Sequence, residues 1–286
     1  MRMDDLSSDW WEKYKYFYLV KEQVDRFILG LFLAVLIDGK LQVYLYSGFV
    51  QFFQNQYYWI STKHSIKNII NVFNLEGVKI ESFRWIDRCE IEGAKSIPVS
   101  NHNLQYHFSE NFDIGYILLN DFDLRALKNN KRFIFITRKV WFNSDEIIPD
   151  GYCAIGFPQE FGNLSQPIKV TESLGQYVYT SNLSYIPLEH IPFEQIENQD
   201  ITLTNIIITD SDAFYARILS DPDVSDYLPR SIVGLSGGPI IAFLRNPKIK
   251  DITVYLVGIQ ISWFPEQRII KAEPITRIAS FLEGEN

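Results

Sequence analysis

The chain is short of cysteine, histidine and positive charge, and it has no long apolar run. Only two of its 286 residues are cysteine, Cys89 and Cys153. That count excludes a disulfide-built scaffold and favours a reducing compartment. Both thiols are expected to be buried, with a single bridge between them as the alternative. Basic residues number 27 against 35 acidic, for a net charge of −8. That balance speaks against nucleic acid as a partner, because phosphate binding needs a cationic surface. One stretch, 125–139, is locally basic, but its Lys and Arg interleave with Phe133-Ile134-Phe135-Ile136 and read as the polar positions around a strand. The longest apolar stretch, residues 27–37, is too short to cross a bilayer as a helix and follows the acidic Glu22 and Asp25. The amino terminus, Met1-Arg2-Met3-Asp4-Asp5, leads into no early apolar run, so no signal peptide is read there. A soluble, cytoplasmic protein without a nucleic-acid or membrane partner is expected.

What the chain does have is apolar bulk. Hydrophobic residues make up 47% and aromatics 15%, enough for a sizeable core and against global disorder. Residues 1–26 space Trp11, Tyr14, Tyr18 and Val20 in a loosely helical way and read as an amphipathic arm. From residue 27 the pattern turns to short β-rich runs between polar turns. Runs 27–37 and 41–46 flank Asp38-Gly39, a tight-hairpin signal because both residues tolerate positive φ. Others follow at 49–53, 57–60, 114–119 and 133–136, then at 152–155, 177–179, 201–208, 240–244 and 253–261. Strands so short and so spaced belong to a sandwich or barrel and not to a parallel sheet with crossover helices. At the carboxyl end, Pro274 suits a first helical turn, and Ile275, Ile278, Ala279 and Leu282 share one face.

The most informative segment is Gly234-Leu235-Ser236-Gly237-Gly238-Pro239. A serine hydroxyl is a poor nucleophile unless a base takes its proton and amides stabilise the oxyanion that forms. Glycines beside it let the backbone turn sharply and aim amides at one point. The backbone N–H groups of Gly234 and Ser236 are the natural donors; a glycine-rich turn between strands is the plain alternative. The same letters fit the Gly-x-Ser-x-Gly elbow of α/β-hydrolases, but that fold needs a following helix and a histidine last in the chain. Here Pro239-Ile240-Ile241-Ala242-Phe243 reads as strand, and the four histidines, at 64, 102, 107 and 190, all precede Ser236. A subtilisin-like order of Asp, His, Ser is disfavoured too, since Asp38 is explained by its hairpin and Ser236 opens no helix of small residues. The order that remains is His, Asp, Ser.

The serine segment resembles that of the chymotrypsin/trypsin superfamily of serine peptidases, and further segments match in the same order. Ile60-Ser61-Thr62-Lys63-His64 resembles the strand end that carries the family's catalytic histidine. Asp113-Ile114-Gly115-Tyr116-Ile117-Leu118 resembles its aspartate and the apolar strand after it. Gly258-Ile259-Gln260-Ile261-Ser262-Trp263 resembles the cleft-lining strand, and Ser47-Gly48-Phe49-Val50 a Gly-Phe strand of the first barrel. The matches span most of the chain from residue 27 onward. The resemblance implies an all-β fold of two six-stranded antiparallel β-barrels with a C-terminal helix, to which the sequence adds an N-terminal helical arm. Domain boundaries are then 1–26 for the arm, 27–140 for the barrel with His64 and Asp113, and 141–286 for the barrel with Ser236.

It further implies a trypsin-like serine peptidase acting on a protein or peptide, with no cofactor and with a regulatory partner protein as an option. Ser236 is the nucleophile, His64 the general base and Asp113 its orienting carboxylate. Asp121 and Asp123 compete with Asp113 but stand in what reads as a polar turn; Asp87 and Asp145 fit less well. Ser262 is expected to donate to Asp113, or else to be a solvent-facing strand serine. Trp263 is expected to wall the substrate pocket, or else to pack in the core or on the surface. Arg230, six residues before Ser236, would form the pocket's base, or else pair on the surface with Asp223 or Asp226. Gly156-Phe157-Pro158 resembles a structural turn of the second barrel. His102, His107 and Glu110 are too awkwardly spaced for a metal site, and none is expected. Leu235 stands where trypsin-type members carry an acidic residue that pairs with a newly cut amino terminus, so that activation switch is absent. The rival to an enzyme is a catalytically silent peptidase-like barrel kept as a binding or scaffold module.

Overall fold

The computed structural model describes residues 19–20, 23–24, 27–86, 97–99, 104–129, 148–158, 162–164, 168–169, 175–176, 179–181, 183–198, 210–219, 231–246 and 251–284. Most of the expected N-terminal arm, the strands expected at 133–136 and 201–208, Cys89, Asp87, Asp145, His102 and Arg230 lie outside those residues.

In the first half, strands β1 (Gly30–Ile37), β2 (Lys40–Tyr46), β3 (Phe49–Phe53) and β4 (Gln56–Ser61) lead into helix α1 (Lys63–Phe73). Then come β5 (Lys79–Ile86), β6 (Ile97–Pro98), β7 (Gln105–Phe108), β8 (Gly115–Leu118) and helix α2 (Asp121–Asn129). The second half begins with β9 (Gly151–Gly156). Two short pairs follow, β10 (Gly162–Leu164) with β13 (Tyr179–Ser181), and β11 (Ile168–Lys169) with β12 (Gly175–Gln176). It continues through β14 (Ser184–His190), α3 (Phe193–Asn198), β15 (Phe214–Ile218), β16 (Pro239–Asn246), β17 (Asp251–Phe264) and β18 (Ile269–Pro274), and closes with α4 (Ile275–Glu283).

Local chemistry accounts for the first hairpin. Asp38 and Gly39 take φ of 51° and 72°, the paired positive values that let a two-residue turn follow the strands' twist. It joins β1 to β2 in antiparallel register, Ile37 opposite Lys40 and Leu31 opposite Tyr46. Strand β1 is an unbroken apolar run because both its faces are covered. Phe32 and Ala34 face the core shared with the second half, while Leu31, Leu33 and Val35 face a core with Trp59, Trp85, Ile66 and Ile69.

The second half contains a closed six-stranded antiparallel barrel in the order β14-β15-β18-β17-β16-β9. Its strands alternate with period two. Ala154, Ile240, Ala242 and Val257 belong to one core cluster, and Cys153, Ile155, Ile241, Phe243 and Leu256 to the core shared with the first half. Of the two six-stranded barrels expected, this one is present; in the first half the described strands pair in two four-stranded sheets, β2-β1-β5-β6 and β3-β4-β8-β7. They meet where Ile28 bridges Phe49 and Leu29 N–H donates to the Gly48 carbonyl at 2.9 Å. The chain is thus an all-β fold whose described residues include a closed six-stranded barrel and a few helices. The C-terminal helix is present as expected, with Pro274 at its N-cap, Ile275, Ile278 and Phe281 buried, and Gly284 closing it at φ 82°. Among the described residues no helix is long and apolar enough to cross a membrane.

Candidate active site

Helix α1 delivers the histidine, and sequence reading had not separated it from the strands. Its signals are Thr62 before the first turn and the apolar set Ile66, Ile69, Ile70 and Phe73. Thr62 caps the helix, its hydroxyl accepting from Ser65 N–H. His64 sits in the first turn, where backbone N–H groups have no partner within the helix. Asp113 supplies one: its Oδ1 accepts the His64 N–H at 3.0 Å and its Oδ2 meets His64 Nδ1 at 2.6 Å. A carboxylate only accepts, so in this pair Nδ1 is the donor, and in that tautomer Nε2 keeps a lone pair.

Asp113 is held from both halves of the molecule. Its backbone carbonyl accepts from Lys63 N–H at 3.3 Å, and the Lys63 ammonium donates to Ser109 and Glu110 carbonyls at 2.7 and 3.1 Å. From the barrel, buried Glu273 accepts the Asp113 N–H at 3.4 Å and is itself bonded to Arg277 at 2.8 Å. The Arg277 guanidinium lies 4.6 Å over the Phe112 ring and forks onto Asp210 at 2.6 and 2.8 Å. Arg277, with Lys271, holds the Asp210 carboxyl well below the usual carboxylate range, and the same pairing raises Arg277.

The serine segment consists of two successive turns. Leu235 N–H donates to Ile232 at 2.9 Å and Gly238 N–H to Leu235 at 2.8 Å. The third residue of each turn is a glycine at positive φ, Gly234 at 94° and Gly237 at 90°; positive φ there is the mark of a type II turn. Gly237 N–H donates to the Gln260 carbonyl at 2.8 Å, and Gln260 N–H to Gly238 at 2.9 Å. So the amides of Leu235, Gly237 and Gly238 are all engaged, whereas among the described residues those of Gly234 and Ser236 donate to no acceptor. Two free N–H groups flanking one serine are what a developing oxyanion requires.

Ser47 fixes the peptide between them. Its hydroxyl donates to the Gly234 carbonyl at 2.6 Å and accepts Phe157 N–H at 2.8 Å. Gly237 comes so near this corner that a Cβ would lie 2.4 Å from the Ser47 carbonyl oxygen and 2.1 Å from Ser61 Oγ. Leu235 is fully buried with Ile232, Ile240 and Ala154. An apolar anchor therefore stands where an acidic side chain would need a cation.

His64, Gly234, Ser236, Gln260 and Trp263 line one cleft of about 410 Å³. Nε2 of His64 lies 3.3 Å from Thr62 Oγ1, and among the described residues no hydrogen bond joins it to Ser236. The single hydroxyl hydrogen of Thr62 lies on its 2.7 Å bond to Ser65 Oγ, leaving the Nε2 lone pair unclaimed.

Ser262 and the two competing aspartates are placed differently from expectation, while Trp263 and Cys153 are placed as expected. Ser262 makes no hydrogen bond to Asp113; a bulge between Gln260 and Ser262 shifts the pairing with β18, and Glu273 meets the aspartate loop instead. Trp263 is a wall of the cleft. Arg230 lies outside the described residues. Asp121 and Asp123 belong to helix α2, not a polar turn, and Asp123 is buried, accepting from Trp85 Nε1 at 3.2 Å. His107 stacks on Phe281 with centroids 5.5 Å apart. Cys153 is a free, buried thiol. Ser47, Glu273, Arg277 and Gln260 were not assigned to the site from sequence, and only Ser47 and Gln260 fall within matched segments.

No family model matches the sequence, and no curated protein matches it either. Solved structures do. Catalytically inactive tobacco etch virus protease, in complex with substrate, is 13% identical with a TM-score of 0.40, covering 92% of this chain and 83% of that one. The active form of Rv3671c protease from M. tuberculosis is 11% identical with a TM-score of 0.44, over 93% and 82%. The protease Anisep from Arthrobacter nicotinovorans is 12% identical with a TM-score of 0.42, over 91% and 96%. The chain is similar, at a distance, to chymotrypsin-like proteases. Likeness at this level supports no inference about chemistry, which is read from the site's own geometry.

Proposed function

We propose that the chain is a serine endopeptidase in which Ser236 is the nucleophile, His64 the general base and Asp113 the group that orients the base. Ser236 Oγ attacks the scissile carbonyl as His64 Nε2 takes its proton. The Gly234 and Ser236 amides receive the oxyanion, and Asp113 stabilises the imidazolium. His64 then returns the proton to the leaving amine, and water, deprotonated by the same ring, releases the acyl group. The observation that carries this reading is the pair of unengaged amides beside Ser236, in a segment whose other amides are all bonded. The pairing of Asp113 with His64, which lines the same cleft as Ser236, supports it.

One feature favours a second reading, a silent binding module: Nε2 contacts Thr62 and not Ser236. Catalytic hydrogen bonds are often loose before substrate arrives, so the two readings part on reactivity. A fluorophosphonate probe is expected to label Ser236 and no other residue. Ser236→Ala and His64→Ala are each expected to cost at least ~10³-fold in rate. A folded wild-type protein that stays unlabelled, with candidate partners added, leaves the binding module standing. A protein substrate in a cytoplasmic setting completes the proposal.

A further inference from the structure

Asp113 turns its acceptors to the first half of the molecule and its one backbone donor to the second. Oδ1 and Oδ2 are taken by His64, and the carbonyl oxygen by Lys63 N–H. Within the loop, Ser109 N–H donates to the Ile114 carbonyl and Phe112 N–H to Ser109 Oγ. That leaves the Asp113 N–H, whose acceptor among the described residues is Glu273 Oε1 at 3.4 Å. Burial does not hold the pair that this loop serves, since the His64 and Asp113 side chains are 52% and 30% exposed. Hydrogen bonds from behind have to fix it instead. Glu273 is suited to that. It is 4% exposed and stands on β18 opposite Ile259 of β17, where the backbones come too close for a Cβ at Gly258. Strand β17 in turn bonds the serine segment, through Gln260 to Gly237 and Gly238. One carboxylate thus ends a path through the barrel from the Ser236 turn to the Asp113 loop. Its oxygens are divided: Oε2 accepts from Arg277 Nη1 at 2.8 Å, and Oε1 accepts from Asp113.

We infer that Glu273 is a positioning residue for the His64–Asp113 pair, and that Arg277 orients it for that task. The effect on turnover rests on the peptidase reading above; the effect on the imidazole does not. A carboxylate offers an acceptor to each neighbour at once, whereas a carboxamide has one oxygen and one NH2 group. In Glu273→Gln the guanidinium takes the oxygen, because the charged donor makes the stronger bond. The amide nitrogen then lies against the Asp113 N–H, donor facing donor, and the loop loses its tie to the barrel. With Arg277→Met in place as well, that competitor is gone. The carboxamide can then turn its oxygen to Asp113 and restore the tie.

The test is a cycle of full-length proteins: wild type, Glu273→Gln, Arg277→Met and the double variant. In the wild-type background Glu273→Gln is expected to lower turnover at least ~10-fold with KM little changed. In the Arg277→Met background the same change is expected to cost less than ~3-fold. Nitrogen NMR of the His64 ring, recorded with the ring neutral, reads the same event without any substrate. Wild type, Arg277→Met and the double variant should keep the proton on Nδ1, while Glu273→Gln should mix the two tautomers. Chemical denaturation of the same preparations gives the stability of each. A role in folding alone would lower stability and leave the tautomer where it is. Equal loss of turnover in both backgrounds, no loss in either, or one tautomer in all the proteins overturns the inference. So does failure of both proteins carrying Glu273→Gln to fold. If the fluorophosphonate probe never labels wild-type Ser236, the peptidase reading falls, and the tautomers alone decide the role of Glu273.

Discussion

In the proposed active site, Ser47 is a positioning residue that touches no reacting atom. It bonds the Gly234 carbonyl and the Phe157 amide at once, and so sets the plane of the peptide between the two free amides. With Ser47→Ala both groups lose their partner in a partly buried corner, which is expected to cost about 1–3 kcal/mol of stability. Turnover should fall ~10-fold with KM little changed, because the amides matter most once the oxyanion has formed. Chemical denaturation and steady-state kinetics on one preparation measure both. A stability loss with unaltered turnover would show that Ser47 supports the fold only. Asp113→Asn tests the other positioning group. It keeps the shape but disturbs the tautomer that puts the lone pair on Nε2, and a loss on the order of 10⁴ in turnover is expected.

Among the elements, helix α1 and the double turn around Ser236 carry the site, and each has a local weak point. Thr62 caps α1 through Ser65 N–H. Thr62→Val should destabilise the protein by about 0.5–2 kcal/mol, while Thr62→Ser, which keeps the hydroxyl, should restore most of it. Equal loss in both variants, measured by urea unfolding, would assign the effect to packing of the methyl group. The double turn depends on Gly237, at positive φ and with no room for a Cβ between Ser61 and Ser47. Much of this level was legible in the residues. Asp38-Gly39 forms the expected hairpin, the run at 49–53 coincides with β3, and Pro274 caps α4. The strand pattern hid α1 because it follows the β-rich run at 57–60 with only Ser61 and Thr62 between, and α2 because two aspartates in its first turn look like a loop. Both are helix-start signals once the following spacing is read as 3.6.

At the scale of the molecule, the two halves are joined by a common core and by one ionic network. Phe32, Phe49 and Ile60 of the first half pack with Ile155, Phe157 and Ile241 of the barrel and with Ile278 of α4. Over this, Arg277 ties Asp210 and Glu273 to the loop of Asp113. Asp210 is depressed in the folded state, so its contribution is fully present above the ordinary aspartate value of about 3.9 and is lost as pH falls below it toward the folded value. Thermal unfolding of Arg277→Met should therefore show a constant deficit from about pH 5 to pH 8 that closes as the solution is taken toward pH 2. A deficit independent of pH would mean that the stacking of Arg277 on Phe112 matters and its charge does not.

The residues alone determine what local rules decide: strand runs, the hairpin, the two turns that glycine permits around Ser236, and the chain order of His64, Asp113 and Ser236. Tertiary structure alone decides which groups complete the site. Ser47 reaches Gly234 across 187 residues and Glu273 reaches Asp113 across 160. Ser47 stands in a matched segment between β2 and β3 and Glu273 on β18, yet nothing beside either residue in the chain shows the partner it meets. The same holds for Gln260, whose neighbours Ile259 and Ile261 mark it only as the polar position of a strand; folding buries it on the cleft that Ser236 lines. Local propensity acts over a few residues, whereas a hydrogen bond between distant strands exists only after packing has set the distance between them.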